Sequence, residues 1–145
     1  MPRPQQTYAN HRRVFPLYHL FAMPVLSANL LVAVWYAVRA PSVHTLWQLA
    51  VAAALVAGLV ASRASTLIVQ NRLVGLETRL RLAATLPLEL RQRIPELRLR
   101  QLIGLRFAGD AELPALVERC LAGELRTADQ VKRQIREWRP DWQRA

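Results

Sequence analysis

From residue 14 to residue 38 no side chain carries a charge, and beyond Arg39 the same holds from residue 40 to residue 62. These are 25 and 23 consecutive uncharged positions separated by a single arginine. As an α-helix rising about 1.5 Å per residue, the first tract is about 37 Å long, enough to cross a hydrocarbon core of about 30 Å with some tilt. The second tract, read from Thr45 to Val69, carries only Arg63. Its charge-free part from Thr45 to Ser62 is about 27 Å long, which leaves the Arg63 guanidinium in reach of a headgroup layer. Amphipathic aromatics mark the ends of both: Phe15, Tyr18, Trp35, Tyr36 and Trp47.

Two buried helices of a soluble protein would need apolar neighbours all round, and the 74 residues that follow position 71 are too few to supply them. A secretory signal is too short a thing for the first tract, which is also followed at once by another, so a retained anchor is expected. The pattern predicts an all-α chain: a cytoplasmic segment 1–13, a two-span transmembrane hairpin 14–69 with a short loop at 39–44, and a small cytoplasmic helical domain 70–145. Arg3, Arg12 and Arg13 precede the first span and Arg63 and Arg72 flank the end of the second, against Arg39 alone in the loop, so both termini are expected on the cytoplasmic side.

Small residues recur along the second span as Ala50, Ala54, Gly58 and Ser62, with Ala53, Ala57, Ala61 and Ser65 beside them. Asn29, Ala33 and Ala37 form a weaker stripe on the first. Such rows let helices approach closely. They can join the two spans to each other, or part of them can meet another subunit. Asn29 is expected to clasp the neighbouring helix, since an amide in lipid needs a hydrogen-bond partner. Pro24 should kink the first span, and Pro16 sits in its opening turn. His19 and His44 lie at opposite ends of the spans, so they cannot form a bis-histidine site; interfacial hydrogen bonding is the reading for both, with a single ligand to a partner's cofactor as a further one for His19.

Beyond the spans, Val69, Leu73, Leu76, Leu80 and Ala83 step by four, three, four and three, which continues the second helix to Leu86, where Pro87 stops it. Glu77 and Arg81 form an i,i+4 pair on it. Leu99, Leu102, Ile103 and Phe107 share the face of a next helix. Gly109 and Asp110 read as C-cap and N-cap between helices. Leu113, Leu116, Val117, Cys120 and Leu121 follow the spacing of a buried helical face that ends at Gly123. Thr127 with Gln130 is a capping box, opening a last helix with Val131, Ile135, Trp138 and Trp142 on one face and Lys132, Arg133, Arg136 and Arg139 on a neighbouring one.

The inventory argues against catalysis. All ten carboxylates lie at or beyond Glu77, all three histidines at or before His44, and every serine between Ser27 and Ser65. The lone cysteine excludes an internal disulfide and lies on a buried face. No His-x-x-x-His, phosphate loop or carboxylate ligand spacing is present. No enzyme, metal or cofactor is expected. The net charge of +10 points instead to anionic lipid headgroups, met first by a cationic protein held at a membrane. Nucleic acid comes after that and only at the last helix, because the helix at 111–122 bears acids where a groove would need bases.

Several stretches together carry a resemblance: Tyr8-Ala-Asn-His-Arg-Arg13, Tyr18-His19, Pro41-Ser42, Gln70-Asn-Arg-Leu, Arg79-Leu-Arg-Leu82, Gln101-Leu-Ile-Gly-Leu-Arg-Phe-Ala108, Glu112-Leu-Pro-Ala-Leu116 and Trp138-Arg-Pro-Asp141. Through them the chain resembles, over nearly its whole length, a family of small bacterial two-span membrane proteins of unknown function. The resemblance implies a bacterial inner-membrane setting, brings no catalytic or ligand residue, and draws attention to Gln70, Asn71, Phe107 and the turn from Trp138 to Asp141. The expected role is binding: an accessory or stabilising subunit among other membrane-protein subunits, of the kind a respiratory or photosynthetic assembly would use. The alternative is a free-standing protein whose Lys132, Arg133, Arg136, Arg139, Trp138 and Trp142 meet anionic lipid.

Overall fold

The structure is a computed structural model that describes Tyr8 and residues 15–140. Arg3, Arg12, Arg13 and Trp142 lie outside the described residues. Within them the chain is helical, with no strand and one isolated antiparallel bridge, Ala108 to Trp138. It divides into two compact units, residues 15–67 and, with Tyr8, residues 68–140.

The first unit is a pair of helices. Pro16 occupies the opening turn, where its missing N–H leaves no bond unmade. A wide π turn, Leu17–Ala22, then leads into α1, Met23–Arg39. The expected kink at Pro24 takes this form because proline offers no N–H to the Leu20 carbonyl and its ring crowds that oxygen. The turn widens instead, and the Met23 N–H reaches back five residues to the Tyr18 carbonyl. The connection is only residues 40–42. Ser42 and Thr45 close it reciprocally: the Ser42 N–H donates to Thr45 Oγ1 at 2.9 Å and the Thr45 N–H to Ser42 Oγ at 3.1 Å.

Helix α2 then runs unbroken over Val43–Thr85, 43 residues and about 64 Å. Its last bond, Leu86 N–H to the Leu82 carbonyl at 2.9 Å, is followed by Pro87, as expected. In the second unit come α3 (Leu88–Gln92), a 3₁₀ turn (Ile94–Glu96), α4 (Leu99–Leu105), α5 (Leu113–Leu121) and α6 (Ala128–Gln134). Their core holds Leu102, Leu105, Phe107, Leu113, Val117 and Val131, all fully buried, with Cys120 and Ile135 close by. The part of α2 in this unit turns Val74, Thr78 and Leu82 inward, one every turn, and Leu86 just past its end continues the row. Leu99 is not on the buried face expected for it.

Polar bonds fix how the short helices meet. Gln101 is buried, and its amide nitrogen donates to the Cys120 carbonyl at 3.0 Å and the Leu125 carbonyl at 2.7 Å, while its oxygen accepts the Arg98 N–H at 2.8 Å. One side chain thereby satisfies the start of α4 and the end of α5. Gly104 lets α4 and α6 touch, since a Cβ there would stand 2.7 Å from the Val131 Cβ. Gly123 closes α5 at φ +81°, with the Glu124 N–H on the Arg119 carbonyl at 3.1 Å. Thr127 and Gln130 form the expected capping box.

Three local expectations are corrected. Gly109 and Asp110 do not cap: α4 ends at Leu105, and Glu112 precedes α5. Arg81 does not pair with Glu77, because Asp110 and two carbonyls of the α4–α5 turn outcompete one exposed carboxylate. Its Nε donates to Asp110 at 2.8 Å, and its terminal nitrogens to the carbonyls of Arg106 at 3.1 Å and Ala108 at 2.7 Å. The last helix does not reach residue 142. It ends at Gln134, and residues 135–140 run on as an irregular segment. Pro140 bars helix only at Arg139 and removes one bond, to the Arg136 carbonyl; the end at Gln134 goes with the bonds that residues 137 and 139 make to the α4–α5 turn. The released segment pairs with the α4–α5 turn, Arg139 N–H to the Phe107 carbonyl at 2.8 Å and Gly109 N–H to the Glu137 carbonyl at 2.9 Å.

Replacing Gln101 by Leu leaves the Leu125 carbonyl and the Arg98 N–H without their partner and takes one bond from the Cys120 carbonyl, which the Gly123 N–H also reaches at 3.2 Å. Such groups cost about 1–3 kcal/mol each to strand, so Gln101→Leu is expected to destabilise this unit by about 2–4 kcal/mol. Thr127→Ala, which removes one exposed cap, should cost about 1 kcal/mol. Urea unfolding of the full chain, followed by tryptophan fluorescence, measures both.

Candidate functional site

In a unit built of two helices, each residue that is buried is buried by the other helix. Ala33 on α1 (8% exposed) and Ala52 on α2 (1%) are the two buried ones. Leu26, Leu30 and Ala37 are half-buried on α1, and Leu49, Val56 and Leu59 on α2. The contact therefore uses Ala33 and Ala37 of the first-span stripe, but a different row of α2 from the one expected. Ala50, Ala54, Gly58 and Ser62 are all exposed, as are Ala53, Ala57, Ala61 and Ser65. A Cβ on Gly58 would meet nothing within 4 Å. The helical period explains the difference: at 100° per residue, these rows lie on the side of α2 away from Ala52 and Val56.

Asn29 is exposed too, so it is not a clasp inside the helix pair. It lines a cleft of about 390 Å³ with Tyr36, His44, Thr45 and Gln48. His19 lies at the other end, where its Nδ1 accepts the Phe15 N–H at 3.1 Å and its ring stands edge-on to Tyr18, centroids 4.9 Å apart. That nitrogen ties the ring to the residue just before the first turn. Arg63 directs its guanidinium to the Tyr18 ring, 5.8 Å from the centroid.

The cations expected on one face of the last helix are distributed differently, since that helix is short. Lys132 is half-buried, its Nζ 5.1 Å from the centroid of the Phe107 ring. Arg133 pairs with Asp129 at 3.0 Å and stands 5.6 Å from the Tyr8 ring. Tyr8 donates its hydroxyl to the same Asp129 at 2.6 Å, and this bond first, with Arg133 after it, holds the Asp129 carboxyl below the usual range. Arg139 reaches within 3.9 Å of Asp110, and Arg136 lends its backbone N–H to Glu112 at 3.1 Å. Trp138 lies against Phe107, centroids 5.2 Å apart, at the edge of the core. Sequence reasoning missed that Phe107 is flanked by Arg106 (4.2 Å), Lys132 and Trp138.

Among the described residues no group of three or more His, Cys, Asp or Glu side chains is placed to hold a metal ion. Two helices, Leu17–Arg39 and Val43–Thr85, are long and apolar enough to cross a membrane, each with a mean hydropathy of 1.8 in its most apolar window. The model of a family of unknown function (DUF6526) matches residues 1–145. No curated protein and no solved structure matches the chain.

Cys120 is buried against the core, and burial pushes its thiol up to about 11. At neutral pH it is a protonated thiol without access, and a maleimide should label it only when the unit unfolds. The raised value also fixes a sign. Between the ordinary thiol value of 9 and about 11 the folded state holds a proton that the unfolded state has released, so stability falls as pH rises through that window. Denaturant titrations at pH 8 and pH 11 should show the loss, and Cys120→Ala should reduce it.

Proposed function

We propose that this chain, which belongs to the family of unknown function DUF6526, is a non-enzymatic integral membrane protein that acts by binding other membrane-embedded subunits. In this reading, Leu17–Arg39 and the apolar part of Val43–Thr85 cross a bacterial inner membrane as a hairpin. Both termini and the helical unit of residues 68–140 lie on the cytoplasmic side, in keeping with the arginine count at the span ends. Low burial supports insertion: only 11% and 6% of the residues in the two apolar windows are covered by protein, whereas core helices of a soluble fold are mostly buried.

One observation carries the accessory-subunit reading. The outward side of α2 bears Ala50, Ala54, Gly58 and Ser62, all exposed, where a surface meant only for lipid needs no small residues. In lipid a small-residue face gains little from the acyl chains and much from another helix that can approach its backbone. Asn29 adds to this, because an exposed amide at that depth calls for a polar partner. The alternative reading, a basic terminal helix on anionic lipid, is weakened by the internal contacts that Lys132 and Arg133 make with Phe107, Asp129 and Tyr8.

The test is extraction from native membranes in mild detergent at low and high salt. A salt-resistant particle containing other subunits is expected, since helix packing is insensitive to ionic strength while electrostatic attachment is screened. Gly58→Leu has open space in the chain itself and should leave the hairpin intact but remove the chain from that particle. A chain that migrates with no other subunit at either salt, or a Gly58→Leu variant that stays in the particle, refutes the reading.

A further inference from the structure

In the unit of residues 68–140, α2 has two apolar sides. One is covered by the short helices through Val74, Thr78 and Leu82, with Asn71 and Arg81 half-buried beside them. The other is open: Val69 is 67% exposed, Leu73 55%, Leu76 54% and Leu80 64%. These four step by four, three and four residues, the a/d alternation of a heptad repeat that keeps a row facing one partner helix. Four large aliphatic side chains in one row exceed what a soluble surface ordinarily leaves uncovered. Lipid is a poor cover, since exposed Arg72, Glu77 and Arg79 are interspersed with them.

The flanks say what covers the row. With Leu73 and Leu80 at the a positions and Val69 and Leu76 at d, Arg72 and Arg79 fall at g, and Gln70 and Glu77 at e. In a parallel, in-register pair of identical helices, the g residue of one meets the e residue of the other at the start of the following heptad. Arg72 then faces Glu77 of the second copy, and the pair occurs twice by symmetry. An antiparallel pair would set arginine flank against arginine flank. The row is thus complementary to itself in one orientation only. A cleft of about 580 Å³ between the row and Leu99 leaves room for incoming side chains on the arginine flank.

We propose that Val69, Leu73, Leu76 and Leu80 form a coiled-coil seam for a second copy of this chain, parallel and in register, fastened by reciprocal Arg72–Glu77 pairs. Two heptads are too short to hold free helices together, but here the helix is already formed and its ordering cost met within the fold. The inference rests on the membrane reading above for one point: a membrane holds both copies in the same direction and at high effective concentration.

Single cysteines at Leu73, Leu76 and Leu80, and at Thr85 as an exposed control off the row, are introduced into the full chain with the buried Cys120 retained. Membranes are treated with a copper–phenanthroline oxidant and the products separated without reductant. Leu73→Cys, Leu76→Cys and Leu80→Cys should each give a disulfide-linked dimer, and Thr85→Cys and the unaltered chain none. Self-linking at all three positions requires the parallel register, because an antiparallel pair self-links only near its dyad. In the Leu73→Cys chain, Arg72→Glu or Glu77→Arg alone should lower the yield roughly fivefold, two attractive surface pairs having become repulsive. The double exchange should restore it. Absence of dimer at all three positions, equal yields at Thr85, or no rescue by the double exchange overturns the seam. An alkaline wash of the same membranes scores the membrane reading separately: a chain released by the wash refutes that reading, and the cross-link pattern of the released chain still decides the seam.

Discussion

Arg81 sends its guanidinium from α2 into the turn between α4 and α5, where the carbonyls of Arg106 and Ala108 and the carboxylate of Asp110 converge on it. Those carbonyls lie just past the end of a helix that stops at Leu105, where backbone oxygens need a donor from elsewhere. The planar fork supplies three donors at once, which a lysine ammonium at the same place could not do in that geometry. With the turn fixed, Phe107 is directed into the core and its carbonyl outward to the Arg139 N–H. Gly109 then lies close enough to Glu137 that a Cβ there would come within 3.2 Å. The whole C-terminal segment from Ile135 to Pro140 is thus positioned by a side chain more than fifty residues earlier in the sequence.

What could be read in the sequence was what local chemistry decides. The charge-free tracts gave two long helices, Pro87 the end of the second, Gly123 the end of α5, and Thr127 with Gln130 a true capping box. The failures came where a distant group outbid a near one. Glu77 is four residues from Arg81, but Asp110 and two carbonyls offer it more. Ile135 and Trp138 have helical spacing, but the segment that carries them pairs with the α4–α5 turn and Trp138 finds Phe107. Asp110 has the chemistry of an N-cap and is taken by Arg81 instead.

The candidate surfaces were legible in their residues and not in their direction. Ala50, Ala54, Gly58 and Ser62 are small in any reading, yet spacing alone cannot say which of several small rows meets α1. The structure turns Ala52 to that role and leaves the others outward. The same ambiguity held for α2 beyond the spans. Val69, Leu73, Leu76 and Leu80 announce a helix, but the inward row is Val74, Thr78, Leu82 and Leu86, with a threonine whose hydroxyl is satisfied by the Val74 carbonyl at 2.8 Å. A polar residue that can bond its own helix does not betray a buried face by its polarity.

Tyr8 stands before the first helix, and its hydroxyl binds Asp129, 121 residues further on, at the start of the last helix. In order of sequence the helical hairpin is therefore an insertion within a unit whose two parts flank it. A ribosome delivers the first part of that unit, then both long helices, and only then the residues that the first part meets. Closing so long a loop carries an entropy cost that no neighbouring contact offsets until the short helices have formed. The Tyr8–Asp129 bond can therefore close only once residue 129 has been made.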